Sequence, residues 1–380
     1  MVWKLAIAAG VAVLIGLGVW LLWPTGEDPG PFEFLGAYDI ATDAWQYGEI
    51  RVGEISGLAY DGETGAFFAV SDNRGEEGTP GKLYTLAIYV TEDGIGNVAV
   101  KDLLLLDRAA SEPGVQPYEA NEIDAEEVVL APDGSLIVSS ERDLADRPWI
   151  RRFSQDGEWI GGYQLPTQFT VAEDHGVRSN LGIEALCLAD AGATLFAANE
   201  QALAQDGPLA DVEEGTRVRI LRFETGTQTP SAIAQYVYET ERIFAVPADG
   251  GYADNGVTAM IDASGIAPEF DLIVMERAYV AGVGNDVKLF GVRLENATDV
   301  SGLDSLAASA FVQPVEKTLL LRISALAEHS DVEVAPDNLE AMTVGPRLPD
   351  GRRTLLLASD NNFNASQRNL FLAFAARRGR

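Results

Sequence analysis

The sequence is poor in the residue types that build many common active sites. It has one cysteine, Cys187, and two histidines, His175 and His329. A single cysteine excludes an internal disulfide and thiolate metal sites of the Cys-x-x-Cys type. Two histidines argue against a histidine-rich zinc or iron centre. Because Cys187 lies inside an apolar strand-like run, we expect it to be a small buried residue of the core.

Positive charge is scarce as well. The chain has 27 Lys and Arg against 58 Asp and Glu, a formal net charge of −31. Contacts to nucleic-acid phosphates need clustered basic residues, so the composition argues against a nucleic-acid partner. The Gly-x-Ser-x-Gly elbow of α/β-hydrolases, phosphate-cradling glycine loops and dinucleotide fingerprints are also missing. The composition suits an acidic, self-repelling surface or a site that holds cations.

One long apolar run stands apart from the rest of the chain. Uncharged residues 5–23 follow Lys4, and at about 1.5 Å per residue a helix of this length approaches the hydrocarbon thickness of a bilayer. We therefore predict an uncleaved signal anchor, a single transmembrane helix at residues 1–23, in a bacterial-type inner membrane. A signal peptide that is removed after export is the alternative. Residues 24–31, rich in Pro and Gly, would be a linker. The remaining body would lie in the periplasm or the extracellular space.

A two-strand phrase recurs five times after the linker, and each copy ends on an acidic residue. The copies begin at Ser56, Glu126, Glu184, Thr258 and Glu340 and end at Asp72, Glu141, Glu200, Glu276 and Asp360. Further short strand candidates follow each copy, and long stretches of helical periodicity are absent. Four strands per repeat predict an all-β fold, a β-propeller of five four-stranded blades over residues 32–376.

The two ends of this repeat array predict how the propeller closes. A single strand candidate follows the fifth copy, and a lone candidate at residues 32–40 precedes the first. We expect the N-terminal strand to complete the last blade, which leaves no long open sheet edge. A sixth blade within residues 285–335 is the alternative.

Residues at the same phase of each repeat should form rings around the propeller axis. The first and last residues of the five copies lie on antiparallel neighbouring strands, so both rings should fall at the same end of the molecule. Convergent carboxylates repel unless cations or protons compensate. Hard oxygen ligands favour Ca²⁺, with Mg²⁺ as the lesser candidate. The predicted metal ligands are Asp72, Glu126, Glu141, Glu184, Glu200, Glu276, Glu340 and Asp360.

The same end of the molecule, the mouth of the central channel, should carry further functional residues. Glu126, Glu184 and Glu340 are the candidate catalytic carboxylates. Arg74, Arg142 and Arg277 follow three of the acids and are candidates to bind phosphate or carboxylate oxygens of a substrate. The alternative for each acid is a structural bond to backbone amides of a neighbouring blade.

Three blocks of sequence carry a family resemblance. They are Ile55–Tyr60 together with residues 68–74, then residues 124–134, and finally residues 338–364, which contain a Leu-Pro-Asp-Gly-Arg turn and a Ser-Asp-Asn-Asn-Phe ending. These blocks resemble the phytase-like family, "esterase-like activity of phytase", of exported β-propeller proteins over roughly residues 50–376. The resemblance implies calcium-dependent hydrolysis of a phosphoester or ester. Members usually have Glu-Gly where this chain has Glu126-Glu127, Glu184-Ala185 and Glu340-Ala341.

Two functions remain open from the sequence. The acidic rings favour a metal-dependent hydrolase of a small phosphoester or ester. The lack of a strong nucleophile–base signature favours a non-catalytic propeller that binds a sugar, a peptide or an envelope protein. A protein partner is compatible with either function.

Overall fold

The computed structural model describes residues 30–378, except residues 77, 109–114, 308–310 and 327–333. The predicted signal anchor at residues 1–23 lies outside the described residues, as does most of the predicted linker. Within the described part of the chain, no helix is long and apolar enough to cross a membrane. Helical structure there includes three-residue 3₁₀ turns at Thr167–Phe169, Asp190–Gly192, Ala248–Gly250 and Ile323–Ala325.

The described chain folds into antiparallel strands. Three strands precede the first repeat: β1 (Phe32–Ala41), β2 (Gln46–Tyr47) and β3 (Ile50–Arg51). Blade 1 contains β4 (Ile55–Tyr60), β5 (Phe67–Ser71), β6 (Lys82–Thr91) and β7 (Gly94–Leu105). Blade 2 contains β8 (Ala125–Leu130), β9 (Leu136–Ser140), β10 (Trp149–Phe153) and β11 (Trp159–Tyr163). Blade 3 contains β12 (Ile183–Ala189), β13 (Thr194–Asn199), β14 (Arg217–Glu224) and β15 (Ala232–Glu239).

The last two blades complete the array. Blade 4 contains β16 (Ala253–Asp262), β17 (Leu272–Val280), β18 (Gly284–Arg293) and β19 (Glu316–Arg322). Blade 5 contains β20 (Leu339–Arg347), β21 (Arg353–Ser359), β22 (Arg368–Ala376) and, as its outermost strand, β1. The predicted all-β propeller of five four-stranded blades is confirmed.

The predicted closure is also confirmed. Strand β1 pairs antiparallel with β22, from Phe32 opposite Ala376 to Ala41 opposite Arg368. The alternative of a sixth blade is wrong for the described residues. The region 285–335 supplies β18 and β19, and both strands are paired within blade 4.

The blades share one axis. The innermost strands contact one another in a closed ring that runs β4, β8, β12, β16, β20 and back to β4. Five apolar clusters fill the spaces between consecutive blades. The inner strands of each sheet are therefore covered on both faces, which explains why they are nearly continuous apolar runs. Cys187 is buried in the cluster between blades 3 and 4, as predicted.

Candidate functional site

Every inner strand carries a β-bulge at the residue where its repeat begins. The pairing register shifts between Ile55 and Gly57 in blade 1, and corresponding shifts enclose the first ring residue in the other four blades. A bulge inserts a residue that the partner strand does not match, and it re-aims that side chain. The bulged residues are Ser56, Glu126, Glu184, Thr258 and Glu340. In blade 2 the bulge also contains Glu127.

Three of the bulged residues are acids that line one cavity at the channel mouth. Glu126, Glu184 and Glu340 share this cavity, whose volume is about 650 Å³. The wall holds twelve carboxyl groups and three guanidinium groups in all. Ser56 and Thr258 occupy the same repeat position, and both are buried. The predicted convergence of the acidic repeat positions into one funnel is therefore confirmed for these three glutamates.

The second ring lies at the same mouth, with one correction. Asp72, Glu141, Glu200 and Asp360 line the cavity, and the blade 4 residue beside them is Arg277. Glu276 lies opposite Val257 in blade 4, just as Ser71 lies opposite Ile55 in blade 1. Glu276 is therefore equivalent to Ser71, and Arg277 is equivalent to Asp72. A shift of one residue turns a side chain to the other face of a strand, so the prediction that Glu276 faces the mouth is wrong.

Glu276 instead belongs to a buried network between blades 3 and 4. Its carboxylate accepts hydrogen bonds from Tyr238 Oη at 2.6 Å and Lys317 Nζ at 2.8 Å. It also accepts a bond from the backbone N–H of Glu241 at 2.8 Å. This is the structural role that was the alternative for each acid.

A third set of mouth residues was missed from the sequence. Glu54, Asp124 and Asn338 each lie two positions before a bulged residue and line the cavity. Their backbone carbonyls accept hydrogen bonds from the second-ring residues, as in Asp72 N to Glu54 O at 3.2 Å. The repeat spacing contained this signal, because all three residues precede the first ring by the same interval. Glu76, Asp254 and Asp337 also line the cavity, but they lie outside the repeated phrase.

In blades 3 and 4 a glycine lies two positions before the bulged residue, and it makes room for an acid of the preceding blade. A β-carbon on Gly256 would lie 2.5 Å from Cγ of Glu200. A β-carbon on Gly182 would lie 2.7 Å from Cγ of Glu141, whose Oε1 accepts the Gly182 N–H at 2.9 Å. These two glycines thus allow the acids of blades 2 and 3 to reach the axis.

The mouth acids form two adjoining groups with ligand-like spacing. Carboxylate oxygens of Asp124, Glu126 and Glu141 lie within 4.8 Å of one another. The same limit holds for Glu141, Glu184 and Glu200, so Glu141 belongs to both groups. Asp72, Glu340 and Asp360 line the same cavity outside these two groups.

Burial and mutual repulsion shift the ionisation of these acids. Desolvation, followed by the charge of neighbouring carboxylates, raises the pKa of Glu126 and Glu184 well above the usual range. The pKa of Asp72 and Asp360 is raised well above its usual range for the same reasons. Burial, reinforced by Asp124, raises the pKa of Glu141 to about 7. Bound cations or protons must therefore compensate this charge.

The three predicted arginines all lie at the mouth and contact acids there. Arg142 Nε lies 2.6 Å from Asp124 Oδ2, and Arg74 Nε lies 3.4 Å from the same oxygen. Arg277 is the most engaged: its Nη2 lies 3.0 Å from Glu340 Oε1 and 3.6 Å from Glu200 Oε1. Its Nη1 lies 3.4 Å from Asp254 Oδ2. Arg277 therefore supplies a fixed positive charge to the blade 4 side of the mouth.

Some solved structures match most of the length of this chain, but with low sequence identity and low TM-scores. One is a putative glycoside hydrolase from Parabacteroides distasonis, 9% identical, with a TM-score of 0.43, covering 93% of this chain and 96% of that chain. Another is a β-1,3-galactosidase solved with galactodeoxynojirimycin, 10% identical, with a TM-score of 0.41, covering 88% of this chain and 94% of that chain. A third is the major allergen of Malassezia sympodialis, 12% identical, with a TM-score of 0.39, covering 87% of this chain and 82% of that chain. At these values the likenesses carry no functional conclusion.

Sequence comparison gives a firmer result for the family. No curated protein matches the chain. The profile of the phytase-like family, described as "esterase-like activity of phytase", matches residues 50–363. That span includes four complete blades and all the mouth residues of the two acidic rings, so the chain belongs to the phytase-like family.

Proposed function

We propose that the acidic mouth binds divalent cations and hydrolyses a small phosphoester or ester. The observation that carries this proposal is the pair of three-carboxylate groups that share Glu141. Such groups bring hard oxygen donors together at the spacing a cation needs. Ca²⁺ is the favoured ion because it accepts many carboxylate ligands in flexible geometry, and Mg²⁺ is the lesser candidate.

The residues present fit a cation. Asp124, Glu126 and Glu141 would hold one ion, and Glu184 and Glu200 would complete the adjoining position. The buried Oδ1 of Asp72 has no hydrogen-bond partner in the described structure, so one ligand oxygen at the same mouth is still available. Without a cation, the repulsion that Arg74, Arg142 and Arg277 leave uncompensated is relieved by protons, as the raised pKa values of Glu126 and Glu184 indicate.

Other side chains of the mouth would carry out the remaining steps. A bound divalent cation would supply Lewis-acid polarisation of the ester and a more acidic water. Arg74 and Arg142, both beside Asp124, would bind the anionic oxygens of the substrate. Glu340 would act as general base, because both Arg277 and Asn338 donate to its Oε1, Asn338 at 3.1 Å, and so orient the carboxylate.

The test combines metal analysis with turnover. Purified propeller should contain tightly bound Ca²⁺, and it should hydrolyse p-nitrophenyl phosphate or p-nitrophenyl acetate in a chelator-sensitive manner. Glu126→Gln should lose both the ion and the activity. Glu316→Gln, whose side chain is 75% exposed on the outer strand β19, should keep both. Bound calcium without turnover of either ester class would favour the alternative, a non-catalytic module that binds a sugar, a peptide or an envelope protein.

We further propose that residues 1–23 anchor the protein in the inner membrane and that the propeller lies outside the cytoplasm. Protease added to spheroplasts should digest the propeller of the full chain. Resistance to that protease, with digestion only after lysis, would contradict this location.

A further inference from the structure

The blade 4 side of the mouth carries two tyrosines, whereas acids predominate in the rest of the cavity wall. Tyr252 and Tyr279 line the cavity, yet their residues are 63% and 36% exposed. Their ring centroids lie 6.3 Å apart and the ring planes are tilted by 33°. Two neighbouring aromatic rings therefore border the cavity and remain open to solvent.

Contacts to Asp254 fix this tyrosine pair in place. Tyr252 Oη donates to Asp254 Oδ2 at 2.8 Å, and the backbone N–H of Tyr279 donates to Asp254 Oδ1 at 3.1 Å. Asp254 is itself paired with Arg277, which also forms an ion pair with Glu340. The two rings are thus tied to the proposed catalytic groups through a short chain of polar contacts, which orders them before any ligand binds.

Amide side chains accompany the rings. Asn285 lies directly opposite Tyr279 in the pairing of β17 with β18. Asn285 lines the cavity, and its buried Oδ1 has no hydrogen-bond partner in the described structure. More neutral donors and acceptors line the blade 5 wall: Asn338, Asn362, Asn364 and Gln367.

We infer that Tyr252 and Tyr279 form a binding platform for a hexopyranose ring, the carbohydrate part of the ligand at this mouth. The electron-rich faces of the tyrosines attract the partly positive C–H face of a sugar. Asn285 and the amides of blade 5 suit a ring that carries several hydroxyl groups, because each amide can both donate and accept. A flat aryl group would use the rings but leave the unpartnered Asn285 oxygen unsatisfied. The inference extends the proposed function by naming the ring-bearing part of the substrate, and only the turnover measurement below rests on that function.

The first experiment measures sugar binding without any reaction. In saturation-transfer NMR, irradiation of the full-chain protein should transfer saturation to the ring protons of methyl α-D-glucopyranoside. The double variant Tyr252→Phe with Tyr279→Phe keeps both rings and should keep the transfer, whereas Tyr252→Ala with Tyr279→Ala should lose it. Val283→Ser is the matched control, because Val283 is 58% exposed in the turn between β17 and β18 but does not line the cavity. Transfer should be unchanged in this control.

The second experiment separates ring binding from ester chemistry. In the double alanine variant, KM for α-D-glucose 1-phosphate should rise about tenfold, as expected for loss of a stacking surface, and KM for glycerol 1-phosphate should stay constant. The inference is overturned if methyl glucoside gives no transfer in the unaltered protein. It is also overturned if the alanine variant keeps the transfer, or if Val283→Ser abolishes it. Transfer without turnover of either phosphate or of p-nitrophenyl acetate would leave the platform standing and remove the proposed hydrolase function.

Discussion

Removing divalent cations should make the propeller less stable as the pH rises from 5 to 8. The group that dominates this prediction is Glu141, whose pKa in the folded protein is raised to about 7 from an ordinary 4.5 by burial and by Asp124. The folded state therefore holds a proton that the unfolded chain has already released. Stability from this group is complete below pH 4.5 and is lost as the pH rises through 7.

The size of the effect follows from the shift. One pKa unit corresponds to about 1.36 kcal/mol, so Glu141 alone should cost about 3 kcal/mol of unfolding free energy between the two pH values. For a propeller of this length that is a fall in Tm of about 4 °C, from the usual unfolding entropy per residue. The raised pKa values of Glu126 and Glu184 act in the same direction.

Differential scanning calorimetry in EDTA, at pH 5 and pH 8, measures the effect. Glu141→Gln should reduce the pH dependence by about 3 kcal/mol, and comparison with this variant removes contributions from other groups such as His175. Saturating Ca²⁺ should abolish most of the loss, since a ligand at 100 times its Kd adds about 2.7 kcal/mol to the folded state. Stability that rises with pH in EDTA, or an unchanged slope in Glu141→Gln, would refute the reasoning.

Three further predictions concern single residues of the mouth and its surroundings. Arg277→Met should free Glu200 and Glu340 from their fixed counter-charge and increase the number of Ca²⁺ ions bound in calorimetric titration; an unchanged stoichiometry would contradict this role. Gly256→Ala should destabilise the protein by about 1–3 kcal/mol and weaken Ca²⁺ binding, because the new methyl group would overpack the Glu200 side chain. Gly226→Ala is the control, since its β-carbon would meet open space, and it should change neither quantity in the same unfolding and titration assays. Glu276→Gln should cost about 3 kcal/mol in denaturant unfolding, because it removes the buried negative charge beside Lys317 and leaves only the more exposed Glu241 as its partner. Its Ca²⁺ affinity should match the unaltered protein, in contrast to any variant of a mouth ligand.

The repeat was enough to predict the architecture. Apolar runs of strand length, separated by turn residues, fixed the number of sheets, and the lone strand at Phe32–Ala41 predicted the closure with β22. The phase of the repeat also placed Glu126, Glu184 and Glu340 together at the mouth. These results follow because equivalent positions of equivalent units face the same axis.

Register and loop geometry were the parts that the sequence did not reveal. Alignment of the fourth repeat by its terminal acid chose Glu276, although the pairing of β16 with β17 makes Arg277 the equivalent residue. The bulges that re-aim the first ring leave no compositional mark, since they depend on how two strands pair. Tyr252 and Asp254 lie before the repeated phrase, at the start of β16, so the repeat pattern did not indicate that they reach the cavity.

Closure of the ring by β1 and β22 has a consequence for biosynthesis. Blade 5 combines the first strand of the body with the last three, so no shortened chain can complete it. Blades 1 to 5 all contribute side chains to the mouth, and the inner strands touch in sequence around the axis. The complete mouth is thus the last element to form: blade 5 side chains such as Glu340 and Asp360 can take their places in its wall only after the whole body has been synthesised.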